Sequence, residues 1–327
     1  MTPSDSQVPW TDEQWALVRQ AVQKEANRSR VAATFLPLYG PLAGDADFVK
    51  SEKLNYINTP PSIGSSPGAG SETMSVDEQK TIPLTTLQVR VILHGAQMAD
   101  PKLTSALEMF RRASNVLARL EDAIVFRGQK DKDKGPVDEA INGLKAIWTV
   151  RGGEESGGLL GDSETEAVEK TELAKRADPV TRTDAAKKTE AADRSGQHLV
   201  HQVSEKIGNL EGKGHFGPFA VVLGQTLFAR AQTASAALIL PSDRIIPFLG
   251  GGPLLRSSTL PHDQGIVVAL GAAPVELVVA TDVSVGFLQV TTDPLFVFRV
   301  FEKIAVRIKE SDAIERLQDK SGGSASG

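Results

Sequence analysis

Apolar residues recur every three or four positions from Trp15 through Val18 and Val22 to Ala26, with Leu17 and Ala21 widening the stripe. That spacing gathers them on one face of a helix, and Gln20, Lys24 and Arg28 take the other side. Thr11-Asp12-Glu13-Gln14 offers a capping box at the start, and Pro37 marks a point the helix cannot pass. A longer pattern runs through Leu103, Leu107, Phe110, Ala113, Leu117, Leu120 and Ile124. It predicts a helix of about six turns, with Arg111, Arg112, Arg119 and Glu121 on its other faces. Leu199, Val203 and Ile207 predict a further helix.

Toward the C-terminus the period changes to two. Phe296, Phe298, Val300, Ile304, Val306 and Ile308 share one face, interrupted by Glu302, and Arg299, Lys303, Arg307 and Lys309 line the opposite one. The strand so predicted is about thirteen residues long, against the usual five or six or so. Phe219–Leu223, Gly265–Leu270 and Val275–Thr281 predict further strands. Between these elements the pattern lapses. Thr59 to Ser71 is rich in Pro, Gly and Ser and cannot form a core alone. Glu164 to Arg194 carries eight acids and seven bases with almost no large apolar side chain, a composition suited to a solvated helix or a mobile flap. Trp148, within Leu144-Lys145-Ala146-Ile147-Trp148-Thr149-Val150, is expected to anchor the first part of the wider interval 129–195.

Composition narrows the classes. The 327 residues suffice for a substantial core. The net charge of -5 gives no basic face for nucleic acid. Cysteine is absent, which rules out disulfides and thiolate metal sites. The polar, acidic start is unlike a signal peptide, and the most apolar run, Gly265 to Ala280, is broken by Pro274 and Glu276, so no membrane span is expected. A cytoplasmic protein fits these features.

The familiar catalytic and ligand motifs are incomplete or missing in this sequence. His198 and His201 stand three apart with no evident third ligand and read as solvated helix residues. Gly68-Ala69-Gly70 lacks the third glycine of a dinucleotide loop and does not follow a strand. Asp131, Asp133 and Gly135 imitate a calcium loop, but its twelfth position is Asn142. Gly250-Gly251-Gly252 reads as a turn. No nucleophile elbow or phosphate loop occurs. The expectation is a protein that is not an enzyme, with no metal and no cofactor.

In the family's order, several pieces resemble the encapsulins, bacterial shell proteins with the tailed-phage capsid fold. They are the amphipathic start, the Gly40-Pro41 step, the strand from Ile82-Pro83-Leu84, and the long helix ending Phe126-Arg127-Gly128. The Gly217-Pro218-Phe219 turn and the closing Phe-rich strand complete the set. The resemblance implies an α+β tailed-phage major capsid protein fold with a peripheral domain, an axial domain and an extended loop. Residues 1–44 would be an N-terminal helix and arm, 45–80 the extended loop, and 81–128 peripheral domain with the spine helix. Residues 129–195 would be a charged insertion, longer than many relatives have here, 196–278 the axial domain, 279–314 the closing strands, and 315–327 a disordered tail.

The function implied is self-assembly, in multiples of sixty subunits, into an icosahedral nanocompartment. It would enclose cargo enzymes of the peroxidase or ferritin-like iron protein class, linking it to oxidative stress and iron storage. Cargo would be held by a short C-terminal targeting peptide, in a groove formed by Phe35, Leu38, Asp282, Val283, Val285 and Phe287. Val283, Val285 and Phe287 share one face of their strand, which offers an apolar strip. Ala33 stands where some relatives carry a basic residue, and Ala96 where some carry a flavin-stacking Trp, so no flavin is expected there. The alternative is a major capsid protein of a tailed phage or prophage. An inner-face helix with an apolar groove favours cargo, and no cleaved scaffolding segment is expected before Thr11.

Overall fold

The computed structural model describes residues 8–55, 75–77, 79–129, 148–154, 156–161, 184–234 and 238–318. The Pro/Gly-rich stretch from Thr59, the glycines at 68 and 70, the calcium-like Asp131 and Asp133, and residues 162–183 of the charged interval lie outside them.

Helix α1, Asp12–Ser29, starts at the predicted capping box: Gln14 N–H donates to Thr11 Oγ1 at 3.3 Å and Thr11 N–H to Gln14 Oε1 at 3.0 Å. Its buried stripe is Trp15, Val18, Val22 and Ala26; Leu17, expected to widen it, is exposed. Trp10, one residue before the cap, packs edge-on against Trp15 with ring centroids 5.1 Å apart. This is a hydrophobic staple that fixes how the chain enters the helix. A short helix α2, Ala32–Phe35, and strand β1, Leu38–Tyr39, follow.

The arm predicted between residues 45 and 80 has a two-stranded base. β2 (Phe48–Lys50) pairs antiparallel with β5 (Thr81–Pro83), and β3 (Lys53–Asn55) with β4 (Ser75–Asp77). β6, Thr85–His94, alternates buried and more exposed residues along its length. After a turn of helix, α3 (Gly95–Met98), comes the long helix α4, Thr104–Arg127. Asp100 caps it, accepting N–H from Thr104 at 2.8 Å and from Lys102 at 3.0 Å. Gly128 ends it at φ +73°, where a Cβ would lie 1.9 Å from Ser156 O, so only glycine fits. The partner loop, with its 3-10 turn Gly158–Leu160, buries Leu159 and Leu160 against the core around α4. Within the interval 129–195, this turn is thus tied to the core by its two leucines. β7, Trp148–Gly152, joins the edge of β6 and provides the anchor expected at Trp148.

Helix α5, Asp184–Gly212, leads to β8, Phe219–Leu223. Every residue of β8 is buried, because Phe219, Val221 and Leu223 join the core under α5 and Ala220 and Val222 join the core under α1 and α4. A continuous apolar run is what a strand covered on both faces requires. Short helices α6 (Gln225–Ala231) and α7 (Pro241–Ile245) precede β9, Leu254–Arg256, and β10, Gln264–Ala269. Two long antiparallel strands follow, β11 (Val275–Val290) and β12 (Leu295–Ile308), then β13, Ile314–Gln318. The larger sheet has the order β1-β11-β12-β6-β7 and the smaller one β13-β10-β8-β9. Two expectations change. The segment from 315, expected as a disordered tail, begins with β13, which pairs antiparallel with β10 in the smaller sheet. β11 starts at Val275 and runs without a break across the boundary expected at 278/279.

Candidate functional site

Helices α1 and α4 cover one face of β11 and β12, and aromatic rings fill the contact. Phe298 is fully buried at its centre. Trp10 stacks on it at 5.0 Å, Phe287 meets it edge-on at 5.4 Å and Phe110 at 5.5 Å. Trp10 Nε1 donates to Met98 O at 3.3 Å, which satisfies its polar tip.

This packing decides where the six predicted groove residues lie. Val283, 1% exposed, and Phe287 are buried in the domain's own core, and Val285 packs against it half-buried. Phe35 is buried too, its ring stacked with Phe126 at 6.4 Å. The strip of Val283, Val285 and Phe287 thus does share a face, as alternation required, but that face is covered from within by α1 and its neighbours. Leu38 and Asp282 remain at the surface, 60% exposed and 52% for the side chain. They are not adjacent. Leu38 pairs with Leu277, five positions before Asp282 along β11, or about 16 Å at the rise of a strand.

The chain itself supplies a different surface. β1 pairs with the outer edge of β11 only at Leu277 and Val278. Among the described residues no strand pairs with that edge from Thr281 to Val290, and Leu288 and Val290 are exposed there. α1 lies beside it, tied by an ion pair of Arg30 with Asp282 at 3.2 Å.

Behind that tie sits a buried acidic cluster, Glu121 and Asp122 of α4 with Glu302 of β12. Asp122 accepts N–H from Val31 at 2.9 Å and from Ala32 at 2.7 Å, capping α2 from 90 residues away in sequence. Burial raises its pKa to about 7 against the pull of those bonds. Glu121 is pushed up to about 8, by burial first and then by the charge of Asp122, while Arg30, 3.8 Å away, pulls the other way. Glu302 is raised well above the usual range by burial and by Glu121. Neither Glu121 oxygen meets a donor on the described backbone or side chains, and the Glu302 carboxyl faces it, an arrangement that favours one proton held between the two. Like charges crowded in low dielectric keep their protons. Glu302 is legible in the sequence as the interruption of an apolar face, whereas Glu121, expected on another face of the long helix with Arg111, Arg112 and Arg119, is buried; spacing could not tell that the two meet. Trp10 could have been found, since an aromatic residue just ahead of a capping box is itself a signal. Ala96, the position without the flavin-stacking Trp, is exposed in α3.

Helices packed on a five-stranded and a four-stranded sheet define an α+β fold. Comparison with solved structures places the fold. The virus-like particle from Pyrococcus furiosus has a TM-score of 0.61 at 15% identity, covering 94% of this chain and 100% of that one. The capsid of Myoviridae Phage XM1 gives 0.52 at 12% identity, covering 86% and 89%. In sequence, the type 1 encapsulin shell protein EncA of Myxococcus xanthus (strain DK1622) is 24% identical over 322 residues, 95% of this chain and 94% of its own. The family model for the encapsulating protein for peroxidase matches residues 4–145 and 180–305. The chain belongs to that family, the encapsulins. No helix among the described residues is long and apolar enough to cross a membrane.

Proposed function

We propose that this chain assembles into a closed icosahedral shell around cargo proteins of the peroxidase or ferritin-like class. A short C-terminal peptide of the cargo would be held on the inner face. The relative in Myxococcus xanthus is a shell protein, and the matching family is described as encapsulating a peroxidase. The observation that carries the seat is the open edge of β11 from Thr281 to Val290 beside α1. An extended peptide can add to such an edge through main-chain hydrogen bonds, with side chains giving selectivity. Of the residues expected from the resemblance, Asp282 is exposed at this edge; Val283, Val285 and Phe287 would hold it rigid from behind. Phe35 and Leu38 would frame the approach rather than touch the peptide.

Light scattering and electron microscopy of the purified protein should show hollow particles; monomers alone at neutral pH would reject the shell. The seat is tested by Leu288→Asp, a surface change expected to spare the fold. On co-expression with the native cargo, shells should form normally and carry severalfold less of it. Unchanged loading in intact shells would reject the β11 edge and leave the shell standing.

A further inference from the structure

The chain crosses from the larger sheet to the smaller one between Ile308, the end of β12, and Ile314, the start of β13. Two carboxylates stand in that crossover, Glu310 and Asp312. Against them lies His215, in the loop between α5 and β8, its backbone N–H fixed on Leu210 O at 2.9 Å. His215 is 9% exposed. Its Nε2 is 3.2 Å from Asp312 Oδ1 and its Nδ1 is 4.0 Å from Glu310 Oε2. One ligand atom from each of the three side chains lies within 4.8 Å of the other two.

Despite the 3.2 Å separation, buried Nε2 makes no hydrogen bond among the described residues. The Asp312 oxygen is near it but off the direction in which a ring N–H would point. That offset is unfavourable for a hydrogen bond and natural for two ligands of one ion. A metal sits on the axis of the ring nitrogen, and a carboxylate oxygen on the same ion stands to the side. Bonds of about 2.1 Å to nitrogen and oxygen separate the two ligand atoms by roughly 3–3.5 Å.

We propose that His215, Glu310 and Asp312 bind a divalent transition-metal ion, with water completing the coordination on the exposed side of Asp312. One neutral imidazole and two carboxylates balance a dication. Nitrogen among the ligands favours zinc over calcium or magnesium, which prefer oxygen alone. The ion would clip the crossover of β12 and β13 to the loop that enters β8, and so brace the smaller sheet against the larger. His198 and His201 take no part; His201 has Glu205 3.8 Å away on its own helix.

The test uses intact shells of the full chain, stripped with a chelator and desalted, with ZnCl2 as the probe. Calorimetric titration should show about one Zn2+ bound per subunit, and bound zinc should raise the thermal midpoint. His215→Asn should weaken binding roughly tenfold or more. Asp312→Asn removes a half-exposed carboxylate, is not expected to disturb folding, and should weaken it as well. His201→Ala should bind as the parent does. No zinc taken up by parent shells at micromolar concentration overturns the site. So does unchanged uptake in His215→Asn and Asp312→Asn.

Discussion

Two clusters of buried charge lie five residues apart on β12, at Arg307 and Glu302, and they are assembled in opposite ways. Around Arg307 the charges balance. Its Nε donates to Glu276 Oε2 at 2.9 Å, Lys309 Nζ reaches Glu276 Oε1 at 2.6 Å, and Glu52 at the arm base is 3.1 Å from the guanidinium. The Tyr39 ring lies 4.2 Å from the guanidinium carbon. Around Glu302 they do not. Three buried carboxyls, those of Glu121, Asp122 and Glu302, share Arg30, and Asp282 adds a fourth acid at the surface. Burial alone would raise Glu276, but bonds from Lys309 and Arg307 hold it below the usual range. Burial raises all three acids of the other cluster, and nothing sufficient offsets it. One β-strand thus carries a lock that needs its charges and a knot that needs its protons.

The two should respond to pH with opposite sign. Glu276 has a depressed folded-state pKa, so its contribution is present above its ordinary value of 4.5 and is lost as pH falls through the lower one. Glu121 has a raised one, so its contribution is full below 4.5 and is lost as pH rises toward about 8. Stability limited by these groups should peak in mildly acidic solution.

The largest effect expected comes from breaking the balanced cluster. Arg307→Met would leave Glu276 buried against one lysine and release Glu52 and the arm base. Removing one partner of a buried pair costs about 3–5 kcal/mol. The thermal midpoint of the shells should fall sharply at neutral pH, and the loss should shrink in acid, where Glu276 takes up a proton. A loss below about 1 kcal/mol would mean that Glu276 is solvated without its arginine.

Relieving the other cluster should do the reverse. Glu302→Gln keeps the shape and removes the group that must share a proton with Glu121. The variant should match the parent near pH 5 and be more stable by about 1–3 kcal/mol at pH 8.5. Parallel stability-against-pH curves for variant and parent would refute a shared proton.

Both clusters also show where sequence reasoning reaches and where it stops. The stripe Trp15, Val18, Val22, Ala26 was legible because a helix face follows from spacing alone. Alternation likewise showed that Val283, Val285 and Phe287 face together. It could not say that the face is roofed by α1, a segment some 250 residues earlier in the chain. For the same reason Arg307, expected on a polar face with Lys303 and Lys309, is 1% exposed: the arm base and Tyr39 close over it. β13 was missed because Ile314-Glu315-Arg316-Leu317-Gln318 carries two apolar residues and holds its place by pairing with β10. His215 and Asp312, nearly a hundred positions apart, are joined only by the passage between the sheets, so no ligand spacing could announce them.

The smallest effect expected is also the finest probe of the contrast. Asp282 pairs with Arg30 at 3.2 Å with its side chain half-exposed, and such a pair is worth about 0.2–1 kcal/mol. Yet Asp282 also raises the pKa of both Glu121 and Glu302 through its charge. Asp282→Asn therefore removes one favourable contact at every pH where Asp282 is ionised, and one unfavourable field where the buried acids begin to ionise. At pH 5.5 the first term acts almost alone, and the variant should be less stable by about 0.5 kcal/mol. Toward pH 8 the buried carboxyls ionise more easily without the neighbouring acid, and Arg30 is free to turn toward Glu121. The deficit should shrink or vanish there. A loss that grows with pH would show that Asp282 serves mainly to hold Arg30 in place over the buried acids. A constant loss would show that the surface pair and the knot beneath it are electrostatically independent.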